Sequence, residues 1–338
     1  MAEKILVTGA SGFIGTHCII DLLNHGYNVK GTVRDMNRVD QLIKILGKNS
    51  EYTDNIEFVE AELTAPQSWE KAMQGCDGVF HLASPVPVIQ PKDPDEVIRP
   101  AREGTINVLT AAKKMDIKRV VQTSSVSAVW GKPGGGSRIY SESDWTDTND
   151  PKQSPYNLSK TFAEQAAWSL VKEKGGPELV VINPSIVLGP ALERDYGSSL
   201  ELIYKILKGQ FPLVPKLGFE VVDVRDVAVL HRLAFESSES SGKRFLCSSG
   251  FRWVKEMAIY LRENFPDYRK KISVRDMPNF LLKIVSFFDG SVTQFLPDIE
   301  LKKEMDTSLA RDLLGWKPRS PEDAIDSGAR SLIEIGIV

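Results

Sequence analysis

Cysteine is scarce in this chain: three residues in 338, Cys18, Cys76 and Cys247. Three thiols so far apart make no disulfide framework and show no metal-ligand spacing, so the expectation is a reducing, cytoplasmic setting and no metal site. Histidine is also sparse, and His17, His25, His81 and His231 have no metal spacing either; His81 reads as a satisfied core residue. Excess charge is missing too. Lys and Arg total 42 against 45 for Asp and Glu, which leaves no polybasic face for nucleic acid or anionic lipid. Long apolar runs are absent. ILVTG near the start is too short for a secretory leader, and FLLKIVSFF at 280–288 is broken by Lys283 and is too short to cross a bilayer. No repeat stands out. What is left is ordinary globular composition, 42% hydrophobic and 26% charged, in a chain long enough for about two domains.

The first half alternates between two periodicities. ILVT (5–8), NVKGTV (28–33), IEFVEA, GVFHLA, RVVQTS and ELVVIN (178–183) read as strands. Helical stretches fall between them, from Phe13 to about Leu23, over Val39–Leu46, around 97–115 and over 156–174. Strand–helix alternation predicts an α/β fold, a doubly wound parallel sheet of Rossmann type. After Pro184 the rhythm loosens. Helices are expected near 199–208, 224–235, 253–264, 278–288 and 321–335, with one more strand at RFLCSS. The expected division is a dinucleotide-binding domain over 1–183, with returns near 220–248, and a smaller, mainly helical substrate-binding domain over 184–338. The long linkers at 85–96 and 131–154 suit functional loops.

TGASGFIG (8–15) sits between the first strand and the first helix. Gly9, Gly12 and Gly15 permit a tight turn and let backbone N–H groups face a pyrophosphate at a helix N-terminus. The second strand ends TVRD. Val33 takes the place of the carboxylate that binds the ribose of NAD, and Arg34 follows, with Arg38 one turn further on. Arginine there suits the 2′-phosphate of NADP(H); the alternative is Asp35 on the ribose.

Two Tyr–Lys pairs have the same spacing: YNLSK at 156–160 and YKILK at 204–208. Each places Tyr and Lys on one helix face, where an ammonium favours the phenolate and lowers the phenol pKa. Only the first follows Ser154-Pro155, a helix start, and a strand-end serine pair in TSS (123–125). Ile203, Ile206 and Leu207 make the second a packing helix.

In order, TGASGFIG, TSS, YNLSK and INPSIVLGP resemble an extended short-chain dehydrogenase/reductase, and TVRD, GVFHLASP, SKTFAEQAAW, VDVRDVA and LGWKPRS resemble its dihydroflavonol reductase-like branch. That branch includes plant dihydroflavonol and cinnamoyl-CoA reductases and microbial aldehyde reductases. The similarity spans nearly the whole chain. It implies Ser125, with Ser124 as the lesser candidate, Tyr156 and Lys160 as the catalytic set. It implies cofactor contacts from Gly9, Ser11, Gly12, Phe13, Ile14, Gly15, Arg34, Glu62, Leu63, Leu82, Ala83, Ser84, Pro184, Ile186, Val187 and Ser199, besides Tyr156 and Lys160. Val86, Trp130 and Pro190 are implied as substrate-pocket walls. Trp130 stands where plant dihydroflavonol reductases carry Asn or Asp, and cannot accept a hydrogen bond. The segment SPYNLSK lacks the long cinnamoyl-CoA reductase motif. The expectation is therefore NADPH-dependent reduction of a small-molecule aldehyde or ketone, by a monomer or homodimer without nucleic-acid or membrane partners. The rivals are a nucleotide-sugar epimerase or dehydratase, a hydroxysteroid dehydrogenase, and a non-catalytic NADP sensor.

Overall fold

The structure is a computed structural model describing residues 2–85, 93–132, 134–282 and 296–338. Its centre is a seven-stranded, all-parallel sheet built from β1 (Lys4–Thr8), β2 (Asn28–Val33), β3 (Ile56–Glu60), β4 (Gly78–His81), β5 (Arg119–Thr123), β7 (Glu178–Pro184) and β10 (Arg244–Cys247). The short β6 (Arg138–Tyr140) lies outside it. The spatial order is β10-β7-β5-β4-β1-β2-β3, so β1 and β4 adjoin where the winding reverses, the usual place for a ligand crevice.

Helices cover both faces because both faces of these strands are apolar. On one side α1 (Phe13–Asn24) packs against α7 (Val224–Glu236). Ile19, Leu22, Phe80, Leu230 and Phe245 share that core with Trp316. On the other side are α3 (Pro66–Met73), α4 (Asp95–Lys114) and α5 (Pro155–Lys174). Leu6, Trp69, Val79, Val108, Val120 and Ala167 form that core. The start of α5 follows its sequence: the Ser154 side chain accepts from the Asn157 N–H at 3.1 Å, and Pro155 takes the first helical position.

The rest forms a second body with its own core of Leu200, Ile203, Leu207, Val221, Met257, Leu261 and Leu332. It contains β8 (Ile186–Leu188), α6 (Glu201–Leu207), β9 (Gly218–Asp223), β11 (Gly250–Trp253), α8 (Val254–Asn264) and a last helix, Pro321–Glu334. A three-stranded sheet, β11-β9-β8, supports it, and β12 (Lys303–Met305) pairs with β6.

The expected strands of the main sheet and its class agree with this architecture. RFLCSS shortens to β10, and β6, β8, β9, β11 and β12 add to the expected set. All but β9 are short, and pairing with distant partners rather than local propensity makes them strands. The end of β9 merges into the cap of α7, where Asp223 accepts from the Arg225 N–H at 2.9 Å. The expected helix at 278–288 lies partly outside the described residues.

β10 closes the sheet from far along the chain, so its packing tests whether that return is integral. Phe245, fully buried, should cost about 3–5 kcal/mol as Phe245→Ala, read as a lower urea midpoint with unchanged slope.

Candidate active site

A cavity of about 870 Å³ runs along the carboxyl ends of the strands, near the upper end of the roughly 300–1,000 Å³ common for small-molecule sites. One end meets Arg34, Arg38 and Glu62; the other meets Ser125, Tyr156, Lys160 and Ser185.

The glycine loop forms the floor. Gly9 has φ +69°, and a Cβ on Gly15 would lie 2.2 Å from the Gly9 carbonyl oxygen. Only glycine lets the first turn of α1 come so close. Thr8 ties this floor to the neighbouring strand end: its hydroxyl accepts from the Leu82 and Ala83 N–H groups at 3.0 and 2.9 Å. Its one proton then goes to His81 Nδ1, 3.0 Å away. Burial, then the Lys160 charge, drops His81 from 6.5 to about 3, so it is neutral and serves as an acceptor.

At the far end, Arg34 is exposed, and among the described residues nothing pairs with its guanidinium. Arg38 is committed: its Nη2 holds both carboxylate oxygens of Glu193 at 2.9 and 2.8 Å, and Asp195 lies 3.5 Å from Nη1. The Glu62 carboxylate folds back to accept from the Leu63 N–H at 2.9 Å. Behind it, the Asn107 amide donates to the Leu63 carbonyl at 3.2 Å.

At the chemical end, Tyr156 and Lys160 share one face of α5, with Nζ 5.8 Å from the ring centroid. Ser125, just past β5, lines the same end of the cavity beside Tyr156. Ser124 faces the other way and donates to Glu164 at 2.6 Å, so geometry separates the two serines. Burial raises the Tyr156 pKa, and the nearby Ser125 hydroxyl only partly offsets it. This reverses the expected lowering by lysine, because desolvation of the phenolate outweighs the gain. Burial also lowers Lys160 from 10.5 to about 8, against the attraction of Glu164.

All the sequence-named cofactor residues line this cavity except Ile186. In β8 alternate side chains point opposite ways: Val187 faces the cavity, while Ile186 packs on the second core. Two of the expected substrate walls are also off it. Pro190 follows a turn at Gly189 (φ +108°), and its carbonyl accepts from His17 Nε2 at 2.9 Å. Trp130 is carried away by the short helical turn after Ser125 into a separate cavity of about 30 Å³ with Glu220 and Lys303. Val86 lies outside the described residues. Sequence reasoning passed over Trp69, Thr64 and Glu96, which line the cavity, and Glu164, Asn183 and Arg244 beneath it; an acidic residue one turn after Lys160 was the available signal.

YKILK reproduces the local geometry of YNLSK: Lys208 Nζ is also 5.8 Å from the Tyr204 ring. Yet Lys208 is exposed, and Tyr204 packs on the second core, away from the cavity.

The cavity fits a dinucleotide on two counts. The Gly9–Gly15 approach leaves a cradle that a Cβ would fill. The Ser185 hydroxyl, lining the chemical end, is buried without a partner among the described residues, which a carboxamide would satisfy.

Residues 5–247 match the NAD dependent epimerase/dehydratase family. The chain is 34% identical over 338 residues to cinnamoyl-CoA reductase 1 of Arabidopsis thaliana, covering 99% of this chain and 96% of that protein. It is 36% identical to tetraketide alpha-pyrone reductase 1 of the same plant, covering 98% and 96%. Among solved structures it resembles Gre2 of Candida albicans in complex with NADPH, with TM-score 0.82, 29% identity and 99% of each chain covered. Among the described residues, no helix is long and apolar enough to cross a membrane.

Two measurements follow from this geometry. Gly15→Ala should weaken dinucleotide binding by about tenfold or more, since its methyl meets backbone that cannot yield, read by NADPH fluorescence titration. His81 and His231 (lowered by burial to about 3 and about 4) should keep neutral-ring NMR shifts at pH 5, where an ordinary histidine of pKa about 6.5 is largely protonated.

Proposed function

Because the chain belongs to the NAD dependent epimerase/dehydratase family, we propose that it is an NADPH-dependent reductase of aldehydes or ketones, using Ser125, Tyr156 and Lys160. The observation that carries this reading is that the glycine loop, Arg34 (unpaired among the described residues) and these three side chains line one cavity. The reductase relatives support the class of reaction.

The glycine-loop N–H groups and the start of α1 would hold the pyrophosphate. Arg34 would take the 2′-phosphate, and Ser185 and Val187 would flank the nicotinamide. When bound, that group supplies a hydride to the carbonyl carbon. Ser125 donates a hydrogen bond to the carbonyl oxygen and orients Tyr156. Tyr156, kept protonated by burial, gives its phenolic proton to the same oxygen as it gains charge. Lys160, charged at neutral pH, stabilises the phenolate that results and reaches the ribose. Neutral His81 takes no proton from this site.

The carbonyl compound would enter beside Tyr156. The tests are NADPH oxidation across a panel of aldehydes, diketones and aromatic thioesters, and a Tyr156→Phe comparison. The phenylalanine variant should lose at least about 100-fold in kcat with unchanged NADPH affinity; turnover equal to the parent would remove Tyr156 as the acid. Arg34→Ala should raise KM for NADPH by about tenfold or more and leave NADH unaffected. An equal effect on both cofactors would reassign Arg34. A sugar-nucleotide epimerase would instead turn over without net cofactor consumption.

A further inference from the structure

A buried ion pair lies directly beneath the proposed catalytic groups. Glu164 sits one helical turn after Lys160 and two after Tyr156 on α5, and is fully buried. Its Oε2 accepts from Ser124 Oγ at 2.6 Å and from Asn183 Nδ2 at 2.8 Å. Its Oε1 accepts from Arg244 Nε at 2.5 Å and Trp168 Nε1 at 3.3 Å. The same Asn183 amide donates to the Ser125 carbonyl at 3.1 Å. Arg244 Nη1 donates to the carbonyls of Glu142 and Asp144, each at 2.8 Å, and the guanidinium lies 3.8 Å over the Trp145 ring. One carboxylate thus joins α5 to the ends of β5 and β7, to β10, and to the 142–145 segment.

We propose that Glu164 is a positioning residue: it locks the Ser125 strand end to the Tyr156–Lys160 helix and is the countercharge for the buried Lys160 ammonium. This rests on the Ser125–Tyr156–Lys160 reading. A buried ion pair is a poor device for stability alone, since apolar residues of equal volume often serve as well or better. Here its hydrogen bonds converge on the two segments whose spacing sets the Ser125–Tyr156 contact. The charge argument is equally local. Among the described residues, the titratable groups that act on Lys160 or feel its charge are Tyr156 and Glu164 on its own helix and His81 on β4, with Arg244 of β10 paired to Glu164. Tyr156 and His81 are neutral, so Glu164 is the anion that offsets the cost of burying the ammonium. Without it the ammonium loses its proton at lower pH. Reduction that needs that charge then fails at lower pH as well.

The test uses the full chain with Glu164→Gln, Glu164→Asp and Ser124→Ala. Three quantities are read: the Lys160 titration midpoint from NMR of labelled lysine side chains, kcat against pH at saturating NADPH, and the NADPH dissociation constant. In Glu164→Gln the Lys160 midpoint should fall by about one pH unit, the alkaline limb of kcat should move with it, and kcat should drop about tenfold or more. NADPH affinity should change by less than about threefold, because the carboxylate does not line the cavity. Glu164→Asp should recover part of both shifts. Ser124→Ala, which keeps the ion pair, should lower kcat and leave the midpoint in place. A folded glutamine variant with unmoved midpoint and pH limb overturns the proposal. If that variant does not fold, unchanged kcat in both milder variants overturns it. Full turnover in Tyr156→Phe would instead sink the reading of the catalytic set, while the Lys160 midpoint would still decide the countercharge.

Discussion

A carboxylate cannot be left alone in a dry interior, and the Glu164 side chain is fully buried. An isolated buried charge costs several kcal/mol or more, so it must be met by donors from whatever surrounds it. In this protein the donors come from Ser124, Asn183, Arg244 and Trp168. The requirement therefore draws together three strands and one helix that the chain supplies at distant points. The edge strand β10 is held to the sheet by more than its ladder, because Arg244 is also the partner that Glu164 needs.

The same low-polarity surroundings set the state of the site above it. Tyr156 is pushed up and Lys160 and His81 are pushed down, burial being the first cause in each. A phenol that stays protonated beside an ammonium still charged near neutral pH suits proton donation to a reduced carbonyl. At the opposite end of the cavity the balance reverses. Arg34 is exposed and unpaired among the described residues, while Arg38 is drawn off by Glu193. The crevice is thus polar and open where an anionic nucleotide would sit, and enclosed where a hydride would move.

Much of the fold was legible because the strands of a parallel sheet covered on both faces are nearly continuous apolar runs, and the helices between them are long. ILVT and ELVVIN announce themselves this way. The glycine loop was legible for a similar local reason, since backbone close to backbone demands glycine. The short strands β8 and β11 carry little pattern of their own, and β9 is made a strand by its distant partners. Ile186 shows the cost: its segment was placed beside the cofactor, but the pleat that turns Val187 inward turns Ile186 away. Trp130 and Pro190 do not line the main cavity, because a helical turn after Ser125 and a glycine turn at Gly189 redirect the chain over a few residues. Glu164 could be seen as spacing, but its donors lie up to 80 residues away, beyond any local pattern.

YNLSK and YKILK mark the division most sharply. The sequence by itself determined that each tyrosine and lysine share a helix face, because an i,i+4 pair on an α-helix has no other choice, and both lysines end 5.8 Å from their rings. Only the tertiary structure decided what each pair can do. Tyr156 and Lys160 face a cavity, with a serine at a strand end and a buried carboxylate below; Lys208 faces water and Tyr204 an apolar core. The physical reason is that a side chain's acidity depends on solvation and on neighbours brought from elsewhere in the chain, and spacing along one helix specifies neither.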